Sequence, residues 1–187
     1  MSLQFGVIFA IIILLAVFLL LTYNRLIAMR NTVRNAWSDI DVQLTRRHDL
    51  VPNLVESVKG YMGHERETLE AVTKARAQAV AGSGGASIAT RVLAETVLGQ
   101  AVSNLMVTAE RYPELKASDN FLMLQEQLTS TENRIAFARQ HYNDSVRRFN
   151  TAIAEFPKNL IAGALGFIAE PLFAADASDR AVAQVQV

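Results

Sequence analysis

Residues 120–156 read NFLMLQEQLTSTENRIAFARQHYNDSVRRFNTAIAEF, and their apolar positions recur at alternating steps of three and four. The seam runs Phe121, Leu124, Leu128, Thr131, Ile135, Ala138, Tyr142, Ser145, Phe149, Ala152 and Phe156. Sustained for about five heptads, this pattern predicts one long helix packed at a shallow angle on its neighbours. Val146 and Ile153 widen the stripe, which suits a bundle of several helices better than a two-stranded coil. Ser118 or Asp119 can cap the start. Pro157 marks the end, because the residue before a proline is pushed out of the helical region.

A second seam lies upstream: Trp37, Ile40, Leu44, Arg47, Val51, Leu54, Val58 and Tyr61, with Leu26, Met29 and Val33 leading in. Pro52 falls inside it. A proline there lacks its own N–H and crowds the carbonyl of His48, so a break and a kink compete. The stripe keeps its phase through Pro52, which favours a kink near residues 48–52. Gly60 and Gly63 offer the natural end of this helix. A third helix, about residues 65–81, carries Leu69, Val72, Arg76 and Val80, with Glu65 and Glu67 in its first turn. Gly82-Ser83-Gly84-Gly85 reads as a flexible connector. A fourth helix, about residues 88–111, carries Leu93, Val97, Ala101, Asn104, Leu105 and Thr108. The expected class is all-α: an antiparallel, up-down four-helix bundle over residues 24–157.

Ahead of the bundle, residues 5–21 form an unbroken run of about 17 residues without a charge. About 20 apolar helical residues cross a bilayer's hydrocarbon core, and Tyr23 stands where an aromatic prefers the headgroup level. Residues 1–23 are therefore expected to be a transmembrane anchor. A cleaved signal peptide would need a basic n-region and a small-x-small cleavage site, and neither is present. No Lys or Arg precedes the run, whereas Arg25, Arg30 and Arg34 follow it. The rule that basic residues stay on the cytoplasmic side puts the N-terminus outside and the remainder inside.

The bulk numbers exclude several classes. Lys plus Arg equals Asp plus Glu, at 18 each, which argues against a nucleic-acid binder, since that should carry a basic excess. The chain has no cysteine, so disulfides and thiolate metal sites are ruled out. About 165 residues follow the anchor, the size of one domain.

Several segments resemble the LemA family: Tyr23-Asn24-Arg25-Leu26, residues 35–44 (NAWSDIDVQL) and residues 46–56 (RRHDLVPNLVE). So do residues 112–117 (YPELKA), 131–136 (TENRIA), 142–144 (YND) and 159–163 (NLIAG). The similarity covers roughly residues 23–167, in order and with the right spacing. It implies a single-pass protein of the bacterial inner membrane with a short outer N-terminus and a cytoplasmic helical bundle. It brings no established catalytic activity and no assigned cofactor. It also brings two associations: a magnetosome-membrane relative, and genes beside a membrane-bound heat-shock metalloprotease. The chain departs from the family pattern mainly in its Ala-rich tail, residues 174–187.

Residues 46–49 are the densest polar cluster on a core helix, and Arg47 holds a seam position. The matching polar position in the last helix is Thr131, flanked by Glu132, Asn133 and Arg134. The expectation is a buried polar layer that fixes register: Arg47 paired with Glu132, and the free carbonyl of His48 met by Asn133 or an arginine. A ligand pocket at the Pro52 kink is the competing reading. The three histidines, His48, His64 and His141, lack a ligand-spaced partner, so no metal or cofactor is expected. No nucleophile has a recognisable elbow, so no catalytic residue is assigned. The segment of residues 158–173 is apolar but too short to span. Its Leu160, Ile161, Leu165 and Phe167 are candidates for membrane or partner contact. If the soluble helices run out, back, out and back, this segment returns to the membrane. If the first two are continuous through Gly60, it lies far from it.

The functional expectation is a non-enzymatic, membrane-anchored scaffold. Its partners would be the bilayer, copies of itself and unidentified membrane or cytoplasmic proteins, with no nucleic acid. The alternative is an envelope-stress adaptor for a membrane-bound protease or its substrates.

Overall fold

The computed structural model describes residues 2–173, so the tail expected over residues 174–187 lies outside the described residues. Among these the chain is all-helical: α1 Ser2–Lys59, α2 Arg66–Gly82, α3 Ile88–Ala109, α4 Pro113–Lys116, α5 Asp119–Ala154 and α6 Lys158–Ala164. The short α4 had no counterpart in the sequence reading.

Helix α1 runs for 58 residues and passes through Pro52, so the reading of Pro52 as a helix break is overturned. The acceptor that Pro52 leaves open at the His48 carbonyl is filled from another helix. Arg76 Nε of α2 donates to it at 2.6 Å, which meets the general demand that a buried carbonyl find a donor. A turn then separates α1 from α2, with the N–H groups of Tyr61 and Met62 both donating to the Val58 carbonyl. Continuity of these helices through Gly60 is overturned with it. The turn also resets the phase: Met62 is buried, while Tyr61 is 43% exposed.

The chain divides into two compact units. The first joins Met1–Ser38 to Gln140–Leu172. Side chains from Phe5 to Leu21 are all exposed, and cover on α1 begins abruptly at Thr22 and Leu26, then continues at Val33 and Ala36. The other buried residues of this unit are Tyr142, Ser145, Val146, Phe149 and Ala152 of α5, together with Ile161, Ala162 and Phe167. Trp37 meets Tyr142 edge-on at 5.4 Å between ring centroids. Helix α6 ends in a left-handed glycine cap. Gly166 has φ +70°, the Phe167 N–H reaches back to the Ala162 carbonyl and the Gly166 N–H to the Gly163 carbonyl. This pair of bonds closes the helix end and redirects the chain. It aims Phe167 onto Phe149 at 6.3 Å and Tyr23 at 6.2 Å, with the Arg30 guanidinium 5.1 Å from its ring centre. Further on, the Asn150 side chain clips the backbone of Glu170, accepting from its N–H and donating to its carbonyl, each at 2.9 Å.

The second unit covers Asp39–Arg139, with Phe173. Its core takes Leu50, Val51, Leu54 and Val58 from α1, Val72, Ala75 and Ala79 from α2, and Leu98, Leu105 and Ala109 from α3. Leu115 of α4 and Phe121, Leu124 and Leu128 of α5 complete it. On α2 the small residues Ala75 and Ala79 are inside and Val80 is not, so the expected stripe is rotated by about one position. On α3 the expected core residues Leu93 and Val97 face outward, at 68% and 47% exposure. Helix α3 is long and apolar enough to cross a membrane by length and composition. It nevertheless carries Arg91 and Glu95, both ion-paired to α1, and supplies three core residues.

Candidate functional site

Arg47 follows Leu44 on the buried stripe of α1, which places a guanidinium among apolar seam positions. It is only 5% exposed. A charge so placed has to be paired. Nη1 donates to Glu132 Oε2 of α5 at 2.9 Å. Nη2 donates to the Glu95 carboxylate of α3 and to the Glu95 carbonyl, the latter at 3.2 Å. The other carboxylate oxygen of Glu95 lies 2.7 Å from His48 Nε2. Nε of Arg47 is buried with no partner among the described residues. Nearby on the same helix pair, Arg91 of α3 is joined to Asp41 of α1.

Two influences oppose each other at Glu95. Burial pushes its carboxyl up, while the hydrogen bond from His48 and the charge and hydrogen bond of Arg47 pull it down. The pull wins, and the group is held below its ordinary value. It therefore stays a carboxylate, and Arg47 stays neutralised.

Of the residues expected in this layer, Arg47, His48 and Glu132 come together. Asn133 and Arg134 do not, because successive helical residues point in different directions, and both are exposed on α5. The His48 carbonyl is met by Arg76 rather than Asn133. Glu132 is itself a half-solvated partner, its side chain 57% exposed. The residue that sequence reasoning missed is Glu95, 7% exposed. A signal for it existed: a lone carboxylate within Val92-Leu93-Ala94-Glu95-Thr96-Val97 calls for a buried cation, just as a seam arginine calls for a buried anion.

A cavity of about 430 Å³ adjoins the layer, with Arg47, Glu95, Gln100, Ser103, Glu132 and Arg139 among its polar lining. Two arginines face two glutamates there, so the formal charges cancel and the wall selects neither anion nor cation. Arg139 lies over the ring of the buried Phe173, 4.5 Å from its centre. Among the described residues, no group of three or more His, Asp or Glu side chains is placed to hold a metal ion.

The four apolar candidates near the C-terminus divide. Ile161 and Phe167 are buried, at 9% and 8% exposure, and serve the core of the first unit. They are not available for outside contact. Leu160 and Leu165 are exposed, at 66% and 53%. Two further exposed residues, Phe156 and Ile168, stand at 79% and 77%. The seam assigned Phe156 to the core, but α5 stops at Ala154 and the turn swings that ring outward.

The LemA family model matches residues 36–187. Magnetosome protein MamQ of Magnetospirillum gryphiswaldense is 24% identical over 172 residues, covering 80% of this chain and 63% of the relative. Magnetosome protein MamQ 1 of Paramagnetospirillum magneticum is 26% identical with the same coverage. Protein LemA of Metamycoplasma hominis is 27% identical over 157 residues, covering 84% of this chain and 71% of the relative. The chain thus spans about 63% of the length of the MamQ relatives it matches.

Proposed function

Because the chain belongs to the LemA family, we propose that it is a non-enzymatic, membrane-anchored scaffold that presents a helical bundle for self-assembly and protein recruitment. The anchor is the apolar run of α1, with the N-terminus outside a bacterial inner membrane and the remainder cytoplasmic. Arg25, Arg30 and Arg34 directly after the run support that orientation. The bundle is an antiparallel four-helix arrangement of α1, α2, α3 and α5.

The observation that carries this reading is α1 itself. One uninterrupted helix bears both an exposed 17-residue apolar run and a buried stripe continuing to Val58. Whatever the stripe organises is therefore tethered to whatever holds the run. The buried polar layer supports a non-enzymatic role, since its charges are engaged with one another. Self-assembly is supported by apolar side chains left exposed on α3 and α5 of the second unit, namely Leu93, Val97 and Val107, and Leu122, Met123 and Phe137. Copies anchored in one plane would assemble in parallel.

The test is the mass of the full-length protein in mild detergent, measured by light scattering, beside a version beginning at Asn24. A closed, symmetric oligomer for the full-length protein is the expected result. A monomer in both would sink the scaffold reading and shift the weight to the envelope-stress adaptor.

A further inference from the structure

The apolar run of α1 ends at Leu21, and Thr22, one residue on, is buried. A helical residue advances only about 1.5 Å along the axis, so the elements that cover Thr22 reach the level where the run ends. The elbow between α5 and α6, and the segment following α6, belong to the same compact unit as Thr22. Phe167 touches Tyr23 and Arg30, and the charge of Arg25 acts on the Glu155 carboxylate. Each contact is to an α1 residue within the first few turns after the run. The headgroup layer on one side of a bilayer is roughly 5–8 Å deep, about the axial distance from Leu21 to Arg25 or Leu26.

Helix α6 opens with Lys158 and Asn159 and is otherwise apolar. Its Ile161 and Ala162 are covered, while Leu160 is exposed, as are the flanking Phe156, Leu165 and Ile168. Four large apolar side chains exposed on one short segment mark a contact surface. What is continuous with that surface is the medium that holds residues 5–21.

We propose that the α5–α6 elbow is a second membrane contact, in which Phe156, Leu160, Leu165 and Ile168 enter the lipid headgroup and acyl boundary beside the anchor. The occupant is the same bilayer. The elbow lies in the interface and does not span, as interfacial apolar segments do. Within the elbow the Lys158 ammonium donates to Glu155 at 2.7 Å, so its charge is paired. The proposal rests on the reading of residues 5–21 as an anchor.

The cysteine-free sequence makes the test direct. Leu160→Cys and Ile168→Cys carry nitroxide labels in the full-length protein, reconstituted in phosphatidylcholine–phosphatidylglycerol vesicles. Labels at Leu14→Cys and Glu56→Cys serve as the bilayer and water references. Relaxation by oxygen and by a water-soluble nickel chelate then reads depth. All four positions are more than half exposed, so labelling leaves the core intact, and an unchanged melt verifies that. The expected result is oxygen access well above chelate access at residues 160 and 168, approaching Leu14 and opposite to Glu56. Water-like access at residues 160 and 168, with Leu14 still in lipid, would overturn the elbow contact alone. Exclusion of both reagents there would overturn it in favour of a protein partner, a second copy included. Water-like access at Leu14 as well would overturn the anchor and the elbow together.

Discussion

Arg47 is held by two carboxylates of unequal value. Glu95 is buried and Glu132 is largely solvated, and water screens an exposed pair to roughly 0–1 kcal/mol. Removing one member of a buried pair strands the other, at about 3–5 kcal/mol. Glu95→Gln is therefore expected to lower unfolding stability by several times more than Glu132→Ala in denaturant titrations. Arg47→Ala and Glu132→Ala are still expected to be coupled in a double-mutant cycle; strictly additive effects would rule out that ion pair. The two itself-buried titrating groups also set opposite pH limits. Because the folded Glu95 carboxyl is held below its ordinary value, its contribution is present above the ordinary carboxylate range. It is lost as pH falls through the folded value, and Glu95→Gln should flatten that acid limb. Tyr142 donates to the Pro171 carbonyl at 2.8 Å, and burial, with the charge of Glu170, pushes its phenol up to about 12 from 10.0. Its contribution is complete below pH 10 and lost as pH rises toward 12, by at most about 3 kcal/mol. In Tyr142→Phe that alkaline loss should disappear.

At the scale of elements, the helix ends and the one internal proline carry the testable consequences. Pro52 and Arg76 solve a single problem from two sides, since the proline removes a donor and the arginine replaces it. Arg76→Met should cost about 1–3 kcal/mol by leaving the His48 carbonyl unmet. In a Pro52→Ala background the restored N–H can serve that carbonyl, and the cost should largely vanish; equal costs in both backgrounds would count against the linkage. Gly166 sits at φ +70°, where a side chain costs about 1–2 kcal/mol. Gly166→Ala is expected to lose that much and to loosen Phe167, readable as increased hydrogen exchange at its N–H. How far each element could be read from sequence depended on contrast. On α5 polar residues separate the apolar ones, so the seam from Phe121 to Ala152 reads directly as the buried side, Ala138 being only partly covered. Helix α3 is apolar nearly all round and periodicity carries little there: of the expected stripe Leu105 is buried and Ala101 packs on the core, while Leu93, Val97 and Asn104 face outward. Of the polar layer, Arg47 and Glu132 were legible because each sits on or beside a seam. Glu95 was not, because it lies on a helix whose nearly continuous apolar surface hides which side is buried.

At the scale of the whole chain, the two units draw on sequence very differently. The second is built from one stretch, Asp39–Arg139, joined by Phe173. The first pairs Met1–Ser38 with Gln140–Leu172, so its partners are about 100 residues apart in sequence. Long-range pairings form late, because loop closure comes before the contacts that reward it. Phe149→Ala, at a fully buried site of the first unit, should cost about 3–5 kcal/mol there. It should raise hydrogen exchange around Leu26 and Val146 while leaving the Leu54–Leu105 core protected; uniform loss across both units would show a single cooperative block. The same discontinuity has a meaning in time. At a synthesis rate of about 5–20 residues per second, the start of α1 is made roughly 6–25 seconds before α5 and α6 emerge. For that interval Leu26, Val33 and Ala36 stand uncovered, and the nascent chain has to be shielded until α5 and α6 arrive.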